Sequence, residues 1–302
     1  MARPSEALQT RLNIHEQRRV KTVQDVITRS KKELGEIPAP FAFFFMGSAG
    51  RQEQLYDTDQ DHGIVYDGDQ KHQSFFLQLG ERIVEALEEV GYERCPGGVM
   101  ASNHRWCQPF ADWEEQLLFW IKENKFDHVR YLLTFFDARC VWGQEDLLVN
   151  LKQLVFDKLE EGLITMDRFA ENTGRIPKGI NGFGQLLEET YGEHQGTINM
   201  KEQVLFPYVN GMRLLALKEG IQAASTVERM EQSHSVNTFR REMESFVEIQ
   251  NYRVMWGERH GTFTHVFPQK LSKRERDFLK NCVKEGRSFY KRIQEDVGRE
   301  LQ

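Results

Sequence analysis

Phe41-Ala-Phe-Phe-Phe-Met-Gly47-Ser-Ala-Gly-Arg51-Gln-Glu-Gln-Leu-Tyr-Asp57-Thr-Asp59-Gln-Asp61-His-Gly63 is the stretch that decides how this chain folds. It opens with an unbroken apolar run between Pro40 and Gly47. A run that short and that rich in aromatics predicts a strand covered on both faces. Gly47 to Thr58, mixing Gly, Ser and charge, reads as a loop. Asp59 to Tyr66 reads as a second strand, and Asp67-Gly68 as the turn that ends it.

The chemistry follows from that layout. Alternate side chains of a strand share a face, so Asp59 and Asp61 point the same way, about 6.6 Å apart along the chain. Two carboxylates side by side repel unless a cation lies between them. They suit Mg²⁺, which binds through one or two carboxylates while substrate phosphates complete its shell. Gly47 and Gly50 flank Ser48 directly after the buried strand, where glycines let backbone N–H groups approach a phosphate. Arg51 adds a fork-shaped cation. Phosphate at one end of a loop and metal at the other are the parts needed for nucleotidyl transfer by in-line displacement.

Rival motifs fail on spacing. Asp57-x-Asp59-x-Asp61 begins like a calcium loop, but the positions needing Gly and Glu are His62 and Gly68. No Gly-Lys-Ser/Thr follows the glycines, so there is no P-loop. An acidic turn in solvent would show the same residue types, and Asp-x-Asp alone does not separate the two.

Outward from this stretch, Ser5 to Leu34 carries an apolar stripe with Ser5 as N-cap, stopped by Ile37-Pro-Ala-Pro40. Helices are also predicted over Ser74–Val90, Asp112–Glu123 and Asp127 to about Val141, with an irregular stretch from Pro96 to Pro109. Beyond Asp146 the pattern is helical throughout: Leu147–Leu159, Leu186–Tyr191, Val204–Lys218, Val236–Met255 and Leu271 to about Val297. Strand signals are essentially absent after residue 100. The expected organisation is an N-terminal helix (1–35), a small mixed α/β domain (36–148) and an all-helical domain (149–302).

The 302 residues hold 40 Lys+Arg against 46 Asp+Glu, a net −6, so no polybasic face for nucleic acid is expected. The longest apolar run is far short of the ~20 residues that cross a bilayer, and no apolar leader follows Met1. Cys95, Cys107, Cys140 and Cys282 form no C-x-x-C pair. A cytoplasmic protein with reduced, inert, buried thiols is the expectation, and no histidine spacing suggests zinc. Alternation sends His62 to the face opposite the aspartates, into packing or surface.

The order strand, Gly-Ser, a dozen residues, Asp-x-Asp resembles the polymerase-β-type nucleotidyltransferase superfamily. Gly47-Ser-Ala-Gly-Arg-Gln-Glu53 with Thr58-Asp-Gln-Asp61 resembles the catalytic domain of protein-PII uridylyltransferases and glutamine-synthetase adenylyltransferases. The chain resembles still more closely a family of nucleotidyltransferases of undetermined substrate. Pro96-Gly-Gly-Val-Met-Ala-Ser-Asn103, Trp106-Cys107, Phe135-Phe-Asp-Ala-Arg139, Gly196-Thr-Ile-Asn-Met-Lys201 and Arg213-Leu-Leu-Ala-Leu217 carry that likeness.

The resemblance implies an α+β fold: a small mixed-sheet polymerase-β-type domain followed by an all-α domain. It implies that Gly47 and Ser48 contact a nucleoside triphosphate and that Asp59 and Asp61 bind Mg²⁺, in a two-ion site, as metal ligands and catalytic residues. Arg51 is a candidate phosphate contact. Asp137 is a candidate third carboxylate, although Asp137-x-Arg139 also reads as an internal ion pair. Lys201 and Arg213 could reach the nucleotide or serve in ion pairs. The acceptor implied is a protein, such as a PII-like regulator, or a small-molecule hydroxyl. The phosphohydrolase domain of full-length uridylyltransferases needs a His-Asp dipeptide, and none is present. The reading from another class is a module that senses or scaffolds around bound NTP without transferring it.

Overall fold

A computed structural model of the protein describes residues 4–55 and 58–298; Asp57, first of the spaced acids, lies outside them. The chain divides into two compact units, Leu12–Thr165, and Met166–Gln302 together with the residues up to Arg11.

The first unit is built on the Phe-rich run. Helix α1 (Glu6–Glu33), whose residues up to Arg11 are assigned to the other unit, precedes β1 (Phe41–Phe45), a single helical turn α2 (Gly47–Gly50) and β2 (His62–Tyr66). There follow α3 (Gln73–Glu89), β3 (Cys107–Pro109), α4 (Phe110–Glu123), α5 (Phe126–Phe136), β4 (Arg139–Gly143) and α6 (Glu145–Glu160). Ser5 caps α1 as expected, its Oγ accepting from the Leu8 N–H at 3.1 Å.

The four strands make one mixed sheet in the order β3-β2-β1-β4. β1 runs antiparallel to β2 and β4, and β2 parallel to β3. Every residue of β1 is buried, as the continuous apolar run predicts. Phe41, Phe43 and Phe45 join Val23, Val26 and Ile27 of α1 and Phe76, Leu79, Ile83 and Leu87 of α3 in one core. Phe44 faces the other way, against Trp113 of α4 and Phe135 of α5. Gly63 makes room for it, since a methyl group there would lie 2.6 Å from the Phe44 ring.

Two expectations change in this unit. Helix α5 stops at Phe136, and Arg139–Gly143 is a strand, where a helix to Val141 was expected. β3 is likewise a strand beyond residue 100. Both are short and gain their hydrogen bonds from distant chain, which local periodicity does not register.

The second unit is mostly helical: α7 (Met166–Thr173), α8 (Phe206–Lys218), α9 (Thr226–Gln232), α10 (Arg240–His260) and α11 (Lys273–Gly298). Helix α8 is buried on nearly every side, which fits a central helix with apolar residues all round. Gly286 of α11 admits Tyr208, whose hydroxyl donates to the Cys282 carbonyl at 2.9 Å. The unit is not purely helical. A two-residue ribbon pairs β5 (Ile198–Asn199) with β6 (His265–Val266), and a π-helical turn, Met200–Leu205, leads into α8. Leu186–Tyr191, expected as helix, is irregular: Leu187 N–H donates to the Gly179 carbonyl and Glu189 N–H to that of Thr197. No helix among the described residues is long and apolar enough to cross a membrane.

Candidate functional site

The site begins where β1 ends. The chain leaves the strand at Met46, turns through Gly47 at φ +54°, and makes the single turn of α2. That left-handed backbone suits glycine. Space demands it as well, because a methyl group at position 47 would lie 2.3 Å from Asp61 Oδ2. The Gly47 backbone and the Asp61 carboxylate are therefore in direct contact. The Met46 N–H donates to the Asp61 carbonyl at 2.8 Å and locks them together.

Asp59 and Asp61 precede β2 rather than lying within it, since regular pairing starts at His62. They are held instead by chain from residues 93–99. Asp59 bridges Glu93 in parallel fashion, Gln60 N–H donates to the Glu93 carbonyl at 2.9 Å, and His62 N–H to that of Val99 at 3.1 Å. Gln54, 1% exposed, donates its amide N–H to the Asp59 carbonyl at 2.8 Å. Its carboxamide oxygen is buried without a hydrogen-bond partner among the described residues.

The two carboxylates remain partly exposed, and a third donor stands with them. Carboxylate oxygens of Asp59 and Asp61 and the Cys95 Sγ all lie within 4.8 Å of one another. Cys95 is 9% exposed, and burial together with the Asp61 carboxylate pushes its thiol up to about 12. Sequence reading treated this cysteine as an inert thiol. The available signal was Cys95-Pro-Gly-Gly98, a tight turn closed by Gly98 N–H donating to the Cys95 carbonyl at 2.9 Å, with Gly98 at φ +66°.

Arg51 and Asp137 were expected as a phosphate contact and a third metal carboxylate. The structure brings these two together and leaves both outside the three-donor cluster. Arg51 Nη1 meets Asp137 Oδ2 at 2.5 Å and its Nε meets Glu53 Oε2 at 2.8 Å. Asp137 is fully buried and Arg51 6% exposed. Burial disfavours the guanidinium's charge, but the two carboxylates outweigh it and raise its pKa. Asp137 thus does form an internal ion pair, with Arg51 rather than Arg139, which pairs with Glu16 at 2.6 Å. Gly50 packs on the same place, since a methyl there would lie 2.1 Å from the Asp137 carbonyl. The pair pins the loop to the start of β4.

His62 turns away from the carboxylates, as alternation requires, and is fully buried beside Phe43 and Phe45. Its Nδ1 accepts from the Ala101 N–H at 3.1 Å, so Nε2 carries the proton and donates to Gln60 Oε1 at 2.8 Å. Burial lowers its pKa to about 3, so the ring stays neutral. In the helical unit, the Arg213 Nη1 group donates to Asn210 Oδ1 at 2.8 Å, and Lys201 lies in the π-helical turn.

Three donors on adjacent backbone, an orphaned acceptor beside Asp59 and a glycine cradle that a methyl would fill are a fit for a small divalent cation. Residues 6–127 match the family described as "Putative nucleotidyltransferase DUF294", and residues 164–297 match "Putative nucleotidyltransferase substrate binding domain". Between them the two matches cover most of the chain. No curated protein matches it.

Proposed function

We propose, on the premise that the chain belongs to the nucleotidyltransferase family these two matches describe, that it transfers a nucleoside monophosphate from an NTP to a hydroxyl-bearing acceptor. The observation that carries this reading is the contact between Gly47 and the Asp61 carboxylate, with Asp59 beside it. A backbone turn open to phosphate and an acidic pair open to metal then face one substrate.

In this reading Asp59 and Asp61 hold Mg²⁺, which supplies charge neutralisation at the α-phosphate. Gly47 and Ser48 orient the triphosphate tail so that an acceptor oxygen attacks the α-phosphorus in line. The new O–P bond forms as the bond to pyrophosphate breaks, and the acceptor's proton passes to solvent. Arg51 acts through Asp137 and Glu53 to hold the loop's shape, as a positioning residue. A PII-like protein acceptor is the finer reading; it rests on the resemblance of Gly47–Glu53 and Thr58–Asp61 to protein-PII uridylyltransferases.

The test is incubation of the chain with labelled UTP, ATP, CTP or GTP, Mg²⁺ and cell extract. Label should appear on an acceptor and vanish with Asp59→Asn or Asp61→Asn. One observation favours a second reading: the buried pairing of Asp137 leaves the cluster with two carboxylates among the described residues, which suits a module that binds NTP without turning it over. Tight NTP binding with no transfer across all four nucleotides and a broad acceptor screen would select that module.

A further inference from the structure

The third donor beside Asp59 and Asp61 is sulfur, and this distinguishes the site from one made for magnesium alone. Mg²⁺ takes oxygen ligands, whereas thiolate selects softer ions such as Zn²⁺, Co²⁺ and Cd²⁺. The sulfur is not there by looseness of the chain. Cys95 opens a turn closed by the Gly98 N–H, and Asn103 donates its amide N–H to the Gly98 carbonyl at 2.9 Å. The segments on either side of that turn are bonded to Gln60 and His62, so the thiol and both carboxylates are carried on one hydrogen-bonded frame.

We propose that Asp59, Asp61 and Cys95 form a site for a thiophilic divalent cation, which occupies the metal position in preference to Mg²⁺. The proposal rests on the reading of Asp59 and Asp61 as metal ligands. Around a tetrahedral ion, metal–oxygen and metal–sulfur bonds of about 2.1 and 2.3 Å set donors about 3.6 Å apart. The three donor atoms lie within 4.8 Å of one another, so a closing of at most about 1 Å around the ion completes the set. On binding, a metal–sulfur bond forms as the S–H bond breaks, and the proton leaves to solvent. No change of oxidation state is involved. Cys107 and Cys282 are buried in the packing of their units and lack this pair of acids, and Cys140 is the remaining thiol with partial exposure.

The experiment is a titration of the intact chain with Co²⁺ followed by absorption, alongside calorimetric titration with Cd²⁺ and Mg²⁺. Wild type and Cys140→Ser should develop a saturable sulfur-to-cobalt charge-transfer band in the near ultraviolet. Cys95→Ser should lack it and lose on the order of tenfold or more in Cd²⁺ affinity, with Mg²⁺ affinity little changed. Cys95→Ala, checked by thermal melting, should behave as the serine variant does. A chain that binds Co²⁺ and Mg²⁺ alike without the band, or a band that survives in Cys95→Ser, overturns the proposal and leaves the carboxylate site standing. A wild-type chain that binds no divalent ion, with or without a non-hydrolysable NTP, overturns the proposal and the reading beneath it together.

Discussion

Asp137 and the pair Asp59–Asp61 are carboxylates around the same loop, and their surroundings are opposite. Asp137 is sealed from water and matched at 2.5 Å by the Arg51 guanidinium. Asp59 and Asp61 are partly exposed and stand near each other, with a thiol as the third donor. A buried charge needs a partner held in place, so the first arrangement gives the loop its shape. Two neighbouring acids in reach of solvent hold electrostatic repulsion that a cation would relieve, so the second arrangement is suited to chemistry. Identical side-chain chemistry serves structure or function according to what neutralises it.

The largest effect should come from breaking the structural pair. Asp137→Ala leaves the buried Arg51 charge with Glu53 alone and should cost about 3 kcal/mol of stability, read by denaturant unfolding. Arg51→Met should cost a comparable amount from the other side. A loss of under 1 kcal/mol in both would mean the pair does not hold the loop. That outcome would return Arg51 to the role of phosphate contact.

The second test concerns His62, which follows Asp61 as the first residue of β2 and faces the core. Its folded pKa of about 3 lies below the ordinary 6.5, so the unfolded chain binds more protons between those values. Stability from this group is therefore full above pH 6.5 and falls as pH drops. Between pH 7 and pH 5 wild type should lose about 2 kcal/mol more than His62→Asn. Equal pH dependence in the two proteins would contradict the neutral buried ring.

The smallest effect sharpens the comparison most finely. Gly47→Ala places a methyl against Asp61 Oδ2 and an alanine at φ +54°. The strain should cost about 1 kcal/mol, while the displaced carboxylate weakens cation binding much more than the stability change suggests. Unchanged Mg²⁺ affinity in a folded Gly47→Ala protein would separate the glycine turn from the acidic pair.

How much of this was legible in the sequence depends on where each element finds its partners. β1 could be read because six consecutive apolar residues between Pro40 and Gly47 need cover on both sides, and both sides are covered. The adjacency of Asp59 and Asp61 follows from backbone alternation, a property of three residues. β4 was hidden, because Asp137-Ala138 offers no Gly or Pro to end a helix and Arg139–Gly143 becomes a strand only through β1, with a register shift between Phe43 and Phe44. The place of Cys95 beside Asp61 was hidden for a related reason. Its nearness to Asp61 arises from backbone bonds between residues 60–62 and 93–99, which no local pattern records. The Arg51–Asp137 pair spans 86 residues, and only the tertiary fold could show that the two charges answer each other.

If Asp59 and Asp61 grip a cation carrying a polyphosphate, their loss must release both. The most direct measurement is calorimetric titration of wild type, Asp59→Asn and Asp61→Asn with Mg²⁺ and non-hydrolysable analogues of all four NTPs, with melting temperatures taken on the same samples. Wild type should bind at least one analogue saturably, both variants should lose that binding, and their melting temperatures should equal or exceed that of wild type. Binding that survives in the variants, variants that unfold, or a wild type that gives no heat with any analogue would contradict that grip.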